Sequence, residues 1–354
     1  MLYYGLAWHP HSDNAGSDLL ALAASRLLPR VDVLLDADAL DAPLARLAPD
    51  DRVVALLPGV FLRSSAHWPP EEHIAPVCVG VHISEEDAWG LPLATLDGAG
   101  RRALESCAPI GCRDARTAQR LRELGIPNEL TACLTLTLTA QPTVRRGIVC
   151  CDVPEAALSA LREYRSDVTE VTHDMTQPQM DFSLRMTHAE ELLAAYASAE
   201  MVFTRRLHCA MACLAVGTPV LLLYHDDYED VSRFAPMDAM VRSQPLDAFV
   251  QQVQRRGIPT VWKNPADMAR IRRTILDALQ AGIERARTVL LPIVPAAEAE
   301  EWRRSRTQRM VDSASQKIAR LENERYEALH AKFDLLLRED GVKSTVEELM
   351  ALPG

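Results

Sequence analysis

The sequence predicts an α/β protein made of two doubly wound units that face a cleft, followed by a helical C-terminal extension. Three observations lead there. Short β-rich apolar runs alternate with amphipathic helical runs. The alternating series starts afresh near Arg146, so it runs twice. From about residue 295 the strands stop, and Glu298 to Arg338 is a charged stretch without proline or glycine. The boundaries drawn from these shifts are 1–141, 142–294 and 295–354, with the seam at Ala140-Gln141-Pro142.

In the first unit LYYGLAW is an aromatic and aliphatic strand, followed by a polar turn from His11 to Ser17 and a helical pattern from Asp18 to Leu28. VDVLLD (31–36), RVVALLP (52–58) and APVCVGVHI (75–83) are apolar runs of the kind buried in parallel sheets. Asp114 to Leu124 is an amphipathic helix stopped by Gly125, and ELTACLTLTLT (129–139) alternates as a strand would. In the second unit GIVCCDV, VTEVTHD (168–174), MVFT (201–204) and PVLLLY (219–224) are strands. Pro154 to Tyr164, Thr187 to Ala199 and Leu207 to Val216 are the helices between them. Both units read as Rossmann-like, with ligands expected at the carboxyl edge of each sheet. In the extension, Val311, Ala314, Ile318, Leu321, Ala328 and Phe333 fall near three-four spacing, interrupted by Arg325 and Lys332. Two readings stay open: a short coiled coil that makes a homodimer, or a helix that packs back on one domain.

Composition removes several classes. With 48% hydrophobic and 25% charged residues the 354-residue chain is globular, and a net charge of −11 argues against nucleic acid as a partner. Eight cysteines are too sparse for a secreted disulfide scaffold. Cys150 and Cys151 are adjacent, and Cys209 and Cys213 share a helix face; core packing outweighs a metal there, so no metal site is expected. MLYYGLAWHP carries no basic residue, and the apolar stretch from Met211 to Tyr224 is broken by Gly217, Thr218 and Pro219. The expectation is a cytoplasmic protein without a signal or membrane span. There is no Walker A sequence, HExxH or GxSxG, which removes NTP hydrolysis, zinc peptidase and α/β-hydrolase chemistry.

The most informative segment is MVFTRRLHCAMACLAVGTPVLLLY (201–224). It places Arg205, Arg206 and His208 on a strand-to-helix turn, where free N–H groups and the helix dipole favour an anion and two arginines add charge. A packed core histidine is the bland alternative, outweighed by the two arginines. In PIGCRDART, Arg113 opens the next helix start while Asp114 reads as its N-cap. Asn14 and Gly16, after the first strand, suit a close backbone approach to a ligand, although turn formation explains them equally well. His82 and His173 lie at strand ends, and Arg185 lies in the linker before a helix; each is a further candidate for binding.

These residues carry a resemblance. TRRLHCAMACLAVGTPV resembles the T-x-R-L-H and G-T-P-V signature of the polysaccharide pyruvyl transferase family. PIGCRDARTAQRLRELGI with ACLTLTL is similar to its Arg-Asp helix and Cys-Leu-Thr strand. YYGLAWHP with the 14–18 loop, and WPPEEHIAPVCVGVHI, resemble further blocks, so the similarity runs from residue 1 to about 235. The usual N-x-G-D is here Asn14-Ala15-Gly16-Ser17-Asp18, a departure. The resemblance implies a fold similar to GT-B glycosyltransferases, with the acceptor on the 1–141 side and the donor anion on the 142–294 side. It implies phosphoenolpyruvate as co-substrate, no cofactor, a glycan or lipid-linked saccharide acceptor, and a pyruvate ketal as product. His208, Arg206 and Arg113 take the catalytic roles, and Arg205, Asn14, Gly16, His82, His173, Arg185 and Thr135 are candidates for substrate binding. A lipid-linked acceptor would bring the enzyme to the inner face of the cytoplasmic membrane. The competing functions are a GT-B glycosyltransferase using a nucleotide sugar and a non-catalytic subunit of a polysaccharide assembly complex.

Overall fold

Two wholly parallel sheets organise the computed structural model, which describes every residue except 45–46, 62–66, 84–96, 142–143, 177–179, 225–239, 259–263, 265–266 and 339–354. Pro142, the last residue of the expected seam, lies outside the described residues. The first sheet holds β1 (Leu2–Trp8), β2 (Val33–Asp36), β3 (Arg52–Phe61), β4 (Ile74–Ile83), β5 (Ile110–Cys112) and β6 (Asn128–Leu130) in the order β2-β1-β3-β4-β5-β6. The second holds β7 (Ile148–Cys151), β8 (Val168–Val171), β9 (Met201–Thr204), β10 (Val220–Tyr224) and β11 (Arg242–Pro245) in the order β11-β10-β9-β7-β8. Read from β8, the second order repeats that of the first. In both, the chain reverses direction across the sheet at its first strand, so the carboxyl ends of β1/β3 and β7/β9 are the crevices where such folds bind ligands.

The helices are α1 (Ala15–Leu27), α2 (Gly98–Ser106), α3 (Ala115–Glu123), α4 (Glu155–Arg162), α5 (Phe182–Ser198), α6 (Leu207–Val216), α7 (Leu246–Arg256), α8 (Met268–Thr288) and α9 (Ala296–Arg338). β9 and α6 fall where the apolar periodicity places them, and Gly125 ends α3 with a φ of +70°, a conformation open to glycine without Cβ strain. Two expectations are corrected. Residues 129–139 are no strand beyond β6: Leu134–Thr137 is a 3₁₀ turn, because Leu134, Leu136 and Leu138 are all drawn into the apolar core. Arg185 is inside α5, which begins five residues before the expected Thr187, capped by the Asp181 side chain on the Leu184 N–H.

The largest apolar cluster lies between the sheets and joins α1, α5, α6, the 3₁₀ turn and α8. α8 follows the second sheet in sequence yet packs on β4 of the first, with Gly282 against Val77 and Arg285 donating to the Cys107 carbonyl at 3.1 Å. The opening turns of α9 also return to the first sheet, where Trp302 seats on Gly100 and donates to Asp97 at 3.0 Å. No helix among the described residues is long and apolar enough to cross a membrane.

A buried ion pair crosses this core. Arg185 of α5 is 0% exposed; it donates from Nε to Asp18 Oδ1 of α1 at 2.9 Å and to the carbonyls of Pro10 and Ser12 at 3.0 and 2.8 Å. Its guanidinium also lies 5.6 Å from the Trp8 ring centre, and Phe182 meets that ring edge-on at 5.0 Å. Burial pushes the Asp18 carboxyl above its ordinary value, although Arg185 pulls it down. Breaking such a pair strands a charge in the core. Asp18→Asn is expected to cost about 3–5 kcal/mol of stability, read as a fall in the urea midpoint. Asp18→Leu combined with Arg185→Met should recover most of the loss; a single-variant loss under about 1 kcal/mol would show that the pair is solvated.

Candidate functional site

Asn14 opens α1 as its N-cap, its side chain accepting the Gly16 N–H at 2.8 Å. The same turn pairs with the chain leaving β8: Asn14 and Asp174 form an antiparallel bridge, Ala15 N–H donates to the His173 carbonyl at 2.8 Å, and Met175 N–H donates to the Asp13 carbonyl at 2.8 Å. The crevice of the first sheet is thereby stitched to the second.

Across that stitch lies the turn between β9 and α6. Thr204 ends the strand and its hydroxyl accepts the Arg206 N–H at 2.9 Å; Arg206 is the N-cap residue of α6, and His208 stands in its first turn. Gly16 marks the convergence. A Cβ added there would lie 2.9 Å from Asn14 Oδ1, 3.0 Å from His208 Nδ1 and 3.2 Å from His173 Nδ1. Only glycine admits so close an approach of two imidazoles and an amide.

His173 is 1% exposed. The Tyr196 hydroxyl donates to Cys151 Sγ at 3.5 Å and lies 2.8 Å from His173 Nε2. The hydroxyl thus holds the ring through Nε2, and Nδ1 faces Gly16. Among the described residues that buried Nδ1 has no hydrogen-bond partner.

Asp152 directly follows β7 and was not singled out in the sequence. It sits at φ +52°, a left-handed conformation costly for a residue with a Cβ. The strain aims its carboxylate at three donors: Thr172 Oγ1 at 2.6 Å, His173 N–H at 3.0 Å and Arg206 Nε at 2.6 Å. Arg206 also pairs with Asp174. Burial works against the charge on Arg206, yet Asp152 and Asp174 hold it above its ordinary value. Arg206 therefore enters the site already bound to two carboxylates. Arg205, beside it, is half-buried on the same turn.

A second cluster lies on the first sheet. His82, on β4, places Nδ1 2.7 Å from Asp114, and Asp114 caps α3 through the Thr117 N–H at 2.8 Å, as its sequence position implies. Burial raises the Asp114 carboxyl, but His82, Thr117 and Arg113 together bring it below the ordinary range. Arg113 is buried beside Asp114 and lines a cavity of about 390 Å³ with Thr131, Ala132, Met240 and Arg270. β5 is three positions from β1 in the sheet, about 14 Å at the usual strand spacing. The described residues thus form one cluster where the two crevices meet and another further along the carboxyl edge of the first sheet.

Two binding candidates are structural instead. Arg185 is consumed by Asp18 and two carbonyls, and Thr135 is fully buried in the 3₁₀ turn, its hydroxyl accepting from Cys133 Sγ at 3.4 Å. For a metal, Cys151, His173 and Cys209 bring their donor atoms within 4.8 Å of one another, in place of the Cys209–Cys213 pair. Burial pushes both thiols well above their ordinary value, and His173 Nε2 already serves Tyr196. The trio has the chemistry of a hydrogen-bonded core cluster.

The architecture so far defines a parallel α/β protein with a polar site where the crevices of its two sheets meet. Residues 94–227 match the family model described as polysaccharide pyruvyl transferase, a span that contains Arg113, His173, Arg206 and His208 and excludes Asn14 and Gly16. No curated protein matches the chain. Among solved structures, a functionally uncharacterised Klebsiella pneumoniae protein is similar at 11% identity and TM-score 0.41, over 66% of this chain and 87% of its own. A Listeria monocytogenes protein described as a putative UDP-N-acetylglucosamine 2-epimerase gives 12% and 0.41 over 84% and 93% of the two chains. The Streptomyces nogalater glycosyltransferase SnogD gives 12% and 0.25 over 84% and 98%.

The carboxylates carry a pH dependence. Burial raises the Asp152 carboxyl too, but Thr172, His173 N–H and Arg206 outweigh it, so Asp152 and Asp114 both lie below the ordinary 3.8. A lowered folded value stabilises above the unfolded one and is lost as pH falls through the folded value. The melting temperature should fall steeply below pH 3.8. Asp152→Asn should flatten that acid limb, and an unchanged limb would remove Asp152 from the network.

Proposed function

We propose that this chain is a ketal pyruvyltransferase, moving the enolpyruvyl unit of phosphoenolpyruvate onto two hydroxyls of a polysaccharide-precursor sugar and releasing phosphate. The observation that carries the proposal is His208, in the first turn of α6 beside Arg206, within the span matched by the family model. His208 is the general acid and base. It gives a proton to the methylene carbon, and C2 becomes an oxocarbenium-like electrophile. One sugar hydroxyl adds to C2, its proton returning to the imidazole. The C2–O bond to phosphate then breaks, phosphate leaving with both electrons, and the second hydroxyl adds to C2 with its proton passing to phosphate. Atoms and charge balance without a redox partner, and the chemistry asks for no cofactor.

Arg206 and the α6 N-terminus face the phosphate of the donor, and the Arg113 cluster, with His82 holding Asp114, lies further along the first sheet on the acceptor side. The Asp174 side chain is 74% exposed and Asp152 15%, so the Arg206–Asp174 contact is the one an incoming anion displaces. His173 orients the Asn14 and Gly16 turn against His208. In this reading residues 1–141 carry the acceptor and 142–294 the donor, in a GT-B-like arrangement. The reaction belongs in the cytoplasm, at the inner membrane face when the saccharide is lipid-linked.

His208→Ala should lower phosphate release from phosphoenolpyruvate by about 10²–10⁴-fold while the chain still melts cooperatively. Near wild-type release would overturn the role. Phosphoenolpyruvate should raise the melting temperature of the wild type. Stabilisation by UDP or GDP sugars in its place favours a nucleotide-sugar glycosyltransferase, and stabilisation by neither favours an assembly subunit. Gly16→Ala should lower turnover with phosphoenolpyruvate binding retained, because its methyl pushes His173 and His208 apart.

A further inference from the structure

α9 changes character along its length. Trp302, Arg306 and Met310 are buried on the first sheet, and Arg303 donates to the Pro69 carbonyl at 2.8 Å. From Val311 to Ala328 the helix leaves the body: every residue is exposed except the partly covered Ser313 and Ala314. Eighteen residues make a rod of about 27 Å. It is not polar all round, for Val311, Ile318 and Leu321 stand 51%, 57% and 55% exposed in one stripe with Ala314 and Ala328. An apolar seam on a projecting helix calls for a second surface.

The residues of the stripe select what that surface is. Against a parallel, in-register copy, Arg325 would meet Arg325. Turned antiparallel about a point between Ile318 and Leu321, the same seam fits itself. Ile318 then faces Leu321 of the second copy, Val311 faces Ala328, and Arg325 lies over Ala314, where its aliphatic stem has room. Lys317 comes beside Glu322 of the second copy, and Glu322 beside its Lys317. Large meets small and plus meets minus only in that orientation. We infer that residues 311–328 pair two copies of this chain as an antiparallel, two-fold symmetric helix pair. The inference does not rest on the enzymatic reading.

Cross-linking tests it, because all eight native cysteines are buried and leave introduced thiols as the exposed ones. In the antiparallel pair residue 311 lies beside 328 of the other copy and about 26 Å from its 311. A mixture of full-length Val311→Cys and Ala328→Cys chains should form a mixed disulfide dimer with diamide, while Val311→Cys alone should stay monomeric on a non-reducing gel. Cross-linking of Val311→Cys alone overturns the antiparallel orientation. Ile318→Lys with Leu321→Lys should abolish self-association in sedimentation equilibrium without changing the melting temperature of the body. Monomeric wild type at every concentration, with no cross-link in the mixture, overturns the pairing, as does a dimer that survives the double lysine variant.

Discussion

The structure depends on the seam that ties residues 13–15 to residues 173–175, backed by the buried Arg185–Asp18 pair. Each sheet alone presents only a set of loop ends at its crevice. His208 comes from one sheet, Asn14 and Gly16 from the other, and they meet because two backbone hydrogen bonds, which form the Asn14–Asp174 bridge, fix the two edges in register. A buried ion pair is weak evidence for net stability, but removing either partner leaves a charge in the core. Here the arginine also holds the Pro10 and Ser12 carbonyls, so the loop that carries Asn14 is set from the far side of the interface.

This explains what the sequence reveals and what it hides. β9, α6 and the cap at Asp114 were legible because each is governed by neighbours a few residues away: apolar period, helix start, glycine stop. His173 and Gly16 were legible as strand-end and turn residues, but their closeness to His208 was not, since it arises from packing between distant segments. The roles of Arg185 and Thr135 were misread for the same reason. A basic residue near a helix start looks like a ligand clamp until an aspartate 167 residues away proves to occupy it. The alternation of small and apolar residues over 129–139 looks like a strand, although the core takes Leu134, Leu136 and Leu138 around a tight turn. Asp152 gave one available signal, a carboxylate directly beyond a buried strand in a doubly wound fold.

The 14–18 loop divides its residues between the site and the core. In Asn14-Ala15-Gly16-Ser17-Asp18 the first and third residues face the site, and the aspartate points the other way into the core. Ser17 is half-buried at the helix start, its Oγ 3.2 Å from that of Ser12. Asp18 thus pairs with α5, while Asn14 caps α1 and Gly16 keeps the close approach to His208 and His173.

Charge at the site follows from the same geometry. The chain is acidic overall, and its most prominent arginine near His208 is neutralised by Asp152 and Asp174. The two contacts are unequal. Asp152 is held by a strained backbone and two further donors, so its position is set by the fold. Asp174 is mostly exposed, and an exposed ion pair is worth about 0–1 kcal/mol. One half of the guanidinium is thus a fixed strut between β7 and α6, and the other half is exchangeable with solvent anions at little cost. That division lets an arginine order the site before a ligand arrives and still present a charge-assisted donor to it.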